Sequence, residues 1–495
     1  MAVLICDPST LLAVAVGVII VHITAQALYN IFFHPLRSFP GPLSHAAFRF
    51  PYCYKLLRGT LPFDMLSLHR KYGDVVRVAP NELAFSHPDA WRDIMGHRTD
   101  GSDEMAKWAQ FYRPAPTPTS VINADRDEHS ALRRQFSHGF SERAMRAQES
   151  VIAGYIDMLI ERLHEKGGGG VQAVDMTAWY NFTTFDIIGD LAFGRPFGCL
   201  EKSEYHPFIP LLLKSSRMGS VLFSLSFYPM LRSVVFAMIP KSLIRLFEDH
   251  RKMSIEKLRD RMKLDGERHD LIEGLLRKKD EMDLDMDQIE ANANILLIGG
   301  SETTATLLSG VTYFLLTNPK ALSRLTEEVR TAFNSEADID MQSVSRLPYM
   351  LACLNEALRM YPPVPTALPR VVPKNGARIT GKFVEAGTPV AIYHWASYHR
   401  EKYFTDPFSF NPERFLGNER FANDRFDMLQ PFHVGPRNCL GRNLAYTEMR
   451  LILARVIYNF DMKLANDSTD WFKRQKVWFF WNKPPLNVYL SSVKR

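Results

Sequence analysis

The sequence predicts a mainly α-helical protein with small β-sheets: a single large helical domain with a minor β subdomain, set behind an N-terminal transmembrane helix. Three observations predict this. Apolar residues recur at three- and four-residue spacing through most of positions 60–350, short strand-like alternations interrupt and follow them, and one long apolar run precedes the rest. With 46% hydrophobic and 23% charged residues, the chain is too apolar for disorder and too charged for a polytopic membrane protein. Its 60 basic and 54 acidic residues give a net charge of +6 with no long Lys/Arg run, which argues against nucleic acid as a partner. The five cysteines, Cys6, Cys53, Cys199, Cys353 and Cys439, form an odd set without CxxC spacing. Neither a disulfide scaffold nor a structural zinc site is therefore expected, and reduced thiols are the simpler reading.

The run LLAVAVGVIIV, Leu11 to Val21, continues more weakly to Phe33, about 23 residues and enough to span a bilayer. No Lys or Arg precedes Arg37, while Arg37, Arg49, Lys55 and Arg58 follow, so the positive-inside bias places the body in the cytoplasm. A cleaved signal peptide, suggested by Ala25-Gln26-Ala27, and a buried core helix are the competing readings; the missing basic leader disfavours the former. HPLRSFPGP then stops the helix with Pro35, Pro40 and Pro42. The division expected is an anchor over 1–33, a stiff proline-rich hinge over 34–45 and a folded body over 46–495.

Within the body, helical spacing covers Glu142 to Glu165, Lys241 to Lys279, Met286 to Leu316 and Pro319 to Asn334. Strand-like alternation marks Val75 to Pro80, Ala377 to Tyr393, VWFFWNK and PLNVYL. Gly167 to Gly170 reads as a loop after a helix, and the acidic stretch Asp280 to Glu290 as a solvated loop leading into the next one.

Three segments carry chemistry. In PFHVGPRNCLGRNLA, Pro431 to Ala445, Cys439 precedes an apolar helical run, so the Leu440 and Gly441 N–H groups and the helix dipole favour a thiolate. Gly435 and Gly441 permit close backbone approach, Phe432 offers an aromatic wall, and Arg437 can pair with an acid. A bare cysteine there is also compatible with a buried structural thiol. In EALR, Glu356 and Arg359 share a helical face and can pair, as an ordinary surface pair would. In LLIGGSETTAT, Gly299 and Gly300 each cost about 1 kcal/mol in a helix interior, which a helix-packing contact or a groove would explain. Beside them Glu302 and Thr303 put an acid and an alcohol on an apolar helix, where polar burial is costly unless satisfied or used.

FHVGPRNCLG resembles the Phe-x-x-Gly-x-Arg-x-Cys-x-Gly loop of the cytochrome P-450 haem-thiolate monooxygenase family. The resemblance implies the cytochrome P-450 fold, with haem b (iron protoporphyrin IX) whose iron Cys439 ligates as a thiolate, Arg437 on a propionate and Phe432 packed by the ring. Such a ligand favours O–O cleavage over electron transfer. EALR, followed by NPERF, then resembles the family's structural charge triad of Glu356, Arg359 and Arg414. Gly299, Gly300, Glu302 and Thr303 resemble its oxygen-binding motif: the glycines open a groove for O2, and the acid and alcohol relay protons. Arg133, four residues after His129 where the family often has tryptophan, and Arg370 are further implied propionate partners. YNIFFHPLRSFPGP, KYGDVVRVAPNELAF and ADRDEHSALRR resemble fungal microsomal members that serve secondary metabolism.

By family position the substrate walls are Met105 to Ile122, Phe208 to Phe227, the Gly299 helix, Thr366 to Leu368 and Trp478 to Trp481, apolar stretches that core packing alone also explains. The run Gly219 to Pro240 either dips into the membrane surface or packs inside the protein. Arg126, Arg134, Arg143, Arg146 and Arg442 form either a basic face for an acidic reductase or a solvated surface. The function implied is hydroxylation or oxidation of a lipophilic secondary metabolite, such as a polyketide, terpenoid or alkaloid intermediate, by O2. Its electrons come from NADPH through cytochrome P-450 reductase, at the endoplasmic reticulum, with a single membrane pass and a cytoplasmic catalytic domain. No GxGxxG nucleotide site is present, in keeping with borrowed electrons. The rivals are a non-catalytic haem- or ligand-binding membrane protein and an isomerase or dehydratase on the same scaffold that needs no NADPH.

Overall fold

A computed structural model describes residues 7–98, 103–114, 116–239, 241–263 and 270–493; Cys6, Pro240 and residues 264–269 of the Lys241 to Lys279 run lie outside them. The principal helices are α1 (Pro8–Phe32), α2 (Arg126–Gly139), α3 (Glu142–Gly167), α4 (Met176–Phe193), α5 (Phe208–Ser226), α6 (Pro229–Ala237), α7 (Lys241–Met262), α8 (Met286–Thr317), α9 (Pro319–Ala332), α10 (Pro348–Met360) and α11 (Arg442–Asn459). Two of them show how sequence sets a boundary. Asp125 caps α2 by accepting from the Asp127 and Glu128 amides, both at 3.1 Å. Asp285 and Gln288 form a reciprocal capping box, so the acidic stretch becomes helix at Met286 rather than continuing as loop to Glu290.

Among the described residues twelve strands make four small sheets: β1 (Val75–Ala79), β2 (Glu82–Phe85), β3 (Ala106–Lys107), β4 (Ala173–Asp175), β5 (Arg370–Val371), β6 (Ala377–Ile379), β7 (Lys382–Val384), β8 (Pro389–Ile392), β9 (Phe460–Leu464), β10 (Lys476–Val477), β11 (Trp481–Asn482) and β12 (Asn487–Ser492). The largest has the order β1-β2-β8-β5-β3. Its β2 and β8 run parallel with Leu83 opposite Val390, bringing segments 300 residues apart into one sheet. The main core is helical: α4 is buried at nearly every position and packs along α8, which is itself buried from Thr304 to Leu315.

Helix α1 contains a 24-residue apolar span, Ser9–Phe32, with mean hydropathy 2.3 and only 6% of its window buried. That exposure overturns the core-helix reading, since a core helix buries its apolar surface. The proline-rich segment lies on the body rather than standing free. Pro40 C=O accepts from the Arg77 amide at 2.8 Å, and a Cβ on Gly41 would stand 2.4 Å from Arg77 C=O. The end of α1 is tied down as well, because the Asn30 side chain donates to Ala47 C=O at 2.9 Å.

Candidate haem-thiolate site

The cysteine loop is built by one close approach and one backbone bond. Gly435 has φ +77°, and a Cβ there would stand 1.9 Å from Met95 C=O, so both conformation and space demand glycine. Cys439 N–H donates to Phe432 C=O at 2.8 Å, folding the loop back on itself just before α11. Phe432 packs against Tyr446 at 5.3 Å between ring centroids. Gly441 differs from Gly435: its φ is −85°, and a Cβ would meet only the Phe140 ring at 3.5 Å, an ordinary contact.

Cys439 is exposed by surface area, yet desolvation raises its thiol pKa, outweighing the Gly441 N–H and the Arg133 and Arg442 charges that lower it. An exposed group that is still desolvated lies in a recess. The expectation that helix-start amides favour the thiolate therefore holds for the Gly441 contribution but not for the net direction, because burial wins.

The arginines gather beside this recess, though not all in one role. Arg133 donates to Asn438 C=O at 2.7 Å and to the Asn438 side chain, bracing the cysteine loop from α2. Arg437 pairs with Glu104 and donates to Ala124 C=O at 2.9 Å. Arg370 reaches Met95 Sδ at 3.4 Å, while its Nη1 is buried without a hydrogen-bond partner. A cavity of about 420 Å³ opens here, lined by Arg98, Glu104, His129, Arg133, Arg134 and Pro436 among others. Burial, then the Arg437 and Lys107 charges, pushes His129 down to about 3, so it is a neutral imidazole. A recessed thiol, an orphaned guanidinium N–H and a basic cavity in one place fit iron protoporphyrin, with its soft-ligand iron and two propionates.

Along α8 the structure divides the glycine pair. A Cβ on Gly300 would stand 2.6 Å from Ile188 Cδ1, so this glycine serves packing against α4, whereas Gly299 has nothing within 4 Å and leaves open space. One turn on, half-buried Thr303 donates to Gly299 C=O at 2.7 Å and shares its face. Glu302 points elsewhere: its carboxylate pairs with Lys483, which also donates to Thr306 at 2.7 Å. The acid and the alcohol are thus adjacent in sequence but not joined by a hydrogen bond.

Glu356, Arg359 and Arg414 meet in a fully buried cluster. Arg359 donates to both Glu356 oxygens at 2.8 Å, and Arg414 Nε reaches Glu356 at 3.2 Å. A fourth member, Asp424, pairs with Arg414, so two cations face two carboxylates and the cluster is neutral. Sequence reasoning missed Asp424, between NPERF and the cysteine loop, Lys483, at the end of the strand-like VWFFWNK, and Glu448 on α11, a buried carboxyl that desolvation raises to about 8. For Asp424 and Lys483 no local string carried a signal.

Four of the five expected wall stretches come together. Phe111, Phe223, Thr366 and Phe479 line a small cavity with Tyr52 and Leu61, and Thr366 donates to Phe479 C=O at 3.2 Å. The Gly299 helix does not line that cavity. Tyr52 and Tyr393, outside every expected wall, add two phenols whose oxygens lie 3.1 Å apart.

Comparison with known proteins agrees with this geometry. The cytochrome P450 family model matches residues 40–490. The cytochrome P450 monooxygenase tpeC of Talaromyces stipitatus is 48% identical over 97% of this chain and 94% of its own length. The cytochrome P450 monooxygenase prhB of Penicillium brasilianum is 45% identical over 95% and 96%, and the trichothecene C-15 hydroxylase of Fusarium sporotrichioides 43% over 97% and 98%. The chain belongs to the cytochrome P450 family.

Proposed function

We propose that the protein is a membrane-anchored monooxygenase that inserts one atom of O2 into a lipophilic secondary metabolite, with electrons passed from NADPH by a partner reductase. The observation that carries this reading is the recessed Cys439 thiol beside a basic cavity, on a helix start braced by Arg133. Cys439 would hold the iron of a bound haem and Arg370 and Arg437 its propionates, and the haem would supply O2 activation.

The chain's own residues do the remaining work. Phe111, Phe223 and Phe479 surround a cavity of about 10 Å³, so an apolar ligand enters as these walls part, and the walls then exclude water. Thr303 holds its hydroxyl at the open face of α8, anchored on Gly299 C=O, where it can pass a proton into the space that Gly299 leaves. The Glu302 carboxylate, fixed by Lys483 and Thr306, serves that relay after turning from its ion pair. The hydroxylation named for the Fusarium relative supports hydroxylation as the reaction here.

The membrane side is supported by two exposed apolar surfaces that meet. Leu43 and Phe50 are exposed where α1 joins the body, and Met230, Leu231, Val234 and Met238 are exposed on and just after α6. Arg49 connects them: its guanidinium stacks on Phe227, just before α6, at 4.4 Å. With α1 they offer apolar surface to a membrane, and the basic residues that follow α1 put the body on the cytoplasmic side, which suits the endoplasmic reticulum. Arg126, Arg134 and Arg143 are exposed and suit an acidic reductase; Arg146 is already paired with Glu142.

Thr303→Ala tests the relay. With reductase and a turned-over substrate, product per NADPH is expected to fall about 10-fold or more while peroxide rises and the haem spectrum is unchanged. Unchanged coupling would refute the role of Thr303.

A further inference from the structure

The cations around His129, which lines the cavity with Glu104, outnumber the carboxylates that meet them. The Arg437 and Arg370 side chains are 3% and 6% exposed, and among the described residues the carboxylate that pairs with both is Glu104, on Arg437 Nε and 3.6 Å from Arg370 Nη1. Lys107, three residues further on in β3, joins them. Its ammonium donates to Ile122 C=O and lies 4.4 Å from the Tyr112 ring centroid. Burial, then repulsion from Arg370 and Arg437, holds its pKa well below the ordinary lysine range. Arg370, Arg437 and, once protonated, Lys107 thus set three cations against one carboxylate, in a setting where an unmatched charge is strongly unfavourable. Arg370 Nη1 has no hydrogen-bond partner, and Lys107 has used one of its three N–H donors on a carbonyl.

We propose that Lys107 and Glu104 complete the haem-binding charge set with Arg370 and Arg437: Lys107 is the third cation for the propionates, and Glu104 stays in place as a third anion that makes the loaded set neutral. Two propionates match the two charges that Glu104 leaves over. Glu104 also orients Arg437 by holding Nε, which leaves the far end of the guanidinium free for a planar carboxylate. This inference rests on the haem reading above and deepens it, since no sequence motif marks either residue.

The test is the equilibrium partition of haemin, and of haemin dimethyl ester with its propionates blocked, between the full-length protein and serum albumin. Ferric/ferrous reduction potentials are read on the same samples. Lys107→Gln is expected to weaken haemin binding about tenfold, as loss of a hydrogen bond to a charged group does, and to leave the ester unaffected. It should also lower the potential, because removing a positive charge favours ferric iron. Glu104→Gln should raise the potential, and the double variant should return it towards the wild-type value. The charge set is overturned if Lys107→Gln weakens haemin and ester alike, or if Glu104→Gln leaves the potential unmoved. Failure of the wild-type protein to take up haemin would overturn the haem reading and this inference with it.

Discussion

The buried arginine and carboxylate clusters around Glu356 and around Glu104 differ in balance. Around Glu356 two arginines face two carboxylates, every member is sealed from solvent, and Arg359 spends its remaining donors on Pro407 C=O at 2.8 Å and Tyr398 C=O at 3.1 Å. Around Glu104 two arginines and Lys107 face one carboxylate, and among the described residues Arg370 Nη1 has no hydrogen-bond partner. A neutral, saturated cluster can only hold the fold together. An unbalanced one beside a recess is built for something that brings the missing charge, and the difference separates structural from ligand-binding arginines without reference to motif.

Breaking the balanced cluster should have the larger effect. Glu356→Gln leaves two buried arginines with one carboxylate, and thermal or urea unfolding is expected to show a loss of about 3–5 kcal/mol. A loss below about 1 kcal/mol would mean that water relaxes the site and the two clusters are not different in kind. In the unbalanced cluster, Arg437→Gln is expected to weaken haemin by about 1.5–3 kcal/mol in the same albumin partition, with unfolding of the haem-free protein shifted by less than about 1 kcal/mol. Equal effects on folding and on haem would erase the distinction.

Glu448 sharpens it from a third side, as a buried carboxyl with no cation to meet it. The folded protein keeps its proton to about 8, whereas the unfolded chain releases it near the ordinary value of 4.5. Folding therefore favours the protonated form, and this group lowers stability progressively as pH rises from about 4.5 to about 8. Glu448→Gln should be nearly neutral at pH 5 and raise the melting temperature by about 4–5 °C at pH 9. An equal change at both pH values would show that the carboxyl titrates normally.

Much of the site was legible because its parts are local strings. The cysteine loop, EALR and the glycine helix each lie within a single segment of at most 15 residues, and the structure gives each a geometry that its spacing allows. What the strings could not show is set by distant chain. Glu302 finds its partner 181 positions away in Lys483, so its direction on α8 was unreadable from SETT. Gly299 and Gly300 look equivalent in sequence, and only the Ile188 side chain on α4 makes one a packing glycine and the other an opening. The charge excess around Glu104 joins segments near positions 104, 370 and 437, which no periodicity links. The apolar span was legible from its length, but only its exposure in the fold excluded a core helix.

The most direct test of the central claim, that Cys439 holds haem iron as a thiolate for oxygen chemistry, is the carbon monoxide difference spectrum of the reduced full-length protein beside Cys439→Ala. A long-wavelength Soret band in the wild type that is absent from the variant is the expected result. A band at the position of histidine-ligated haem in both proteins, or the same long-wavelength band in both, would contradict the account.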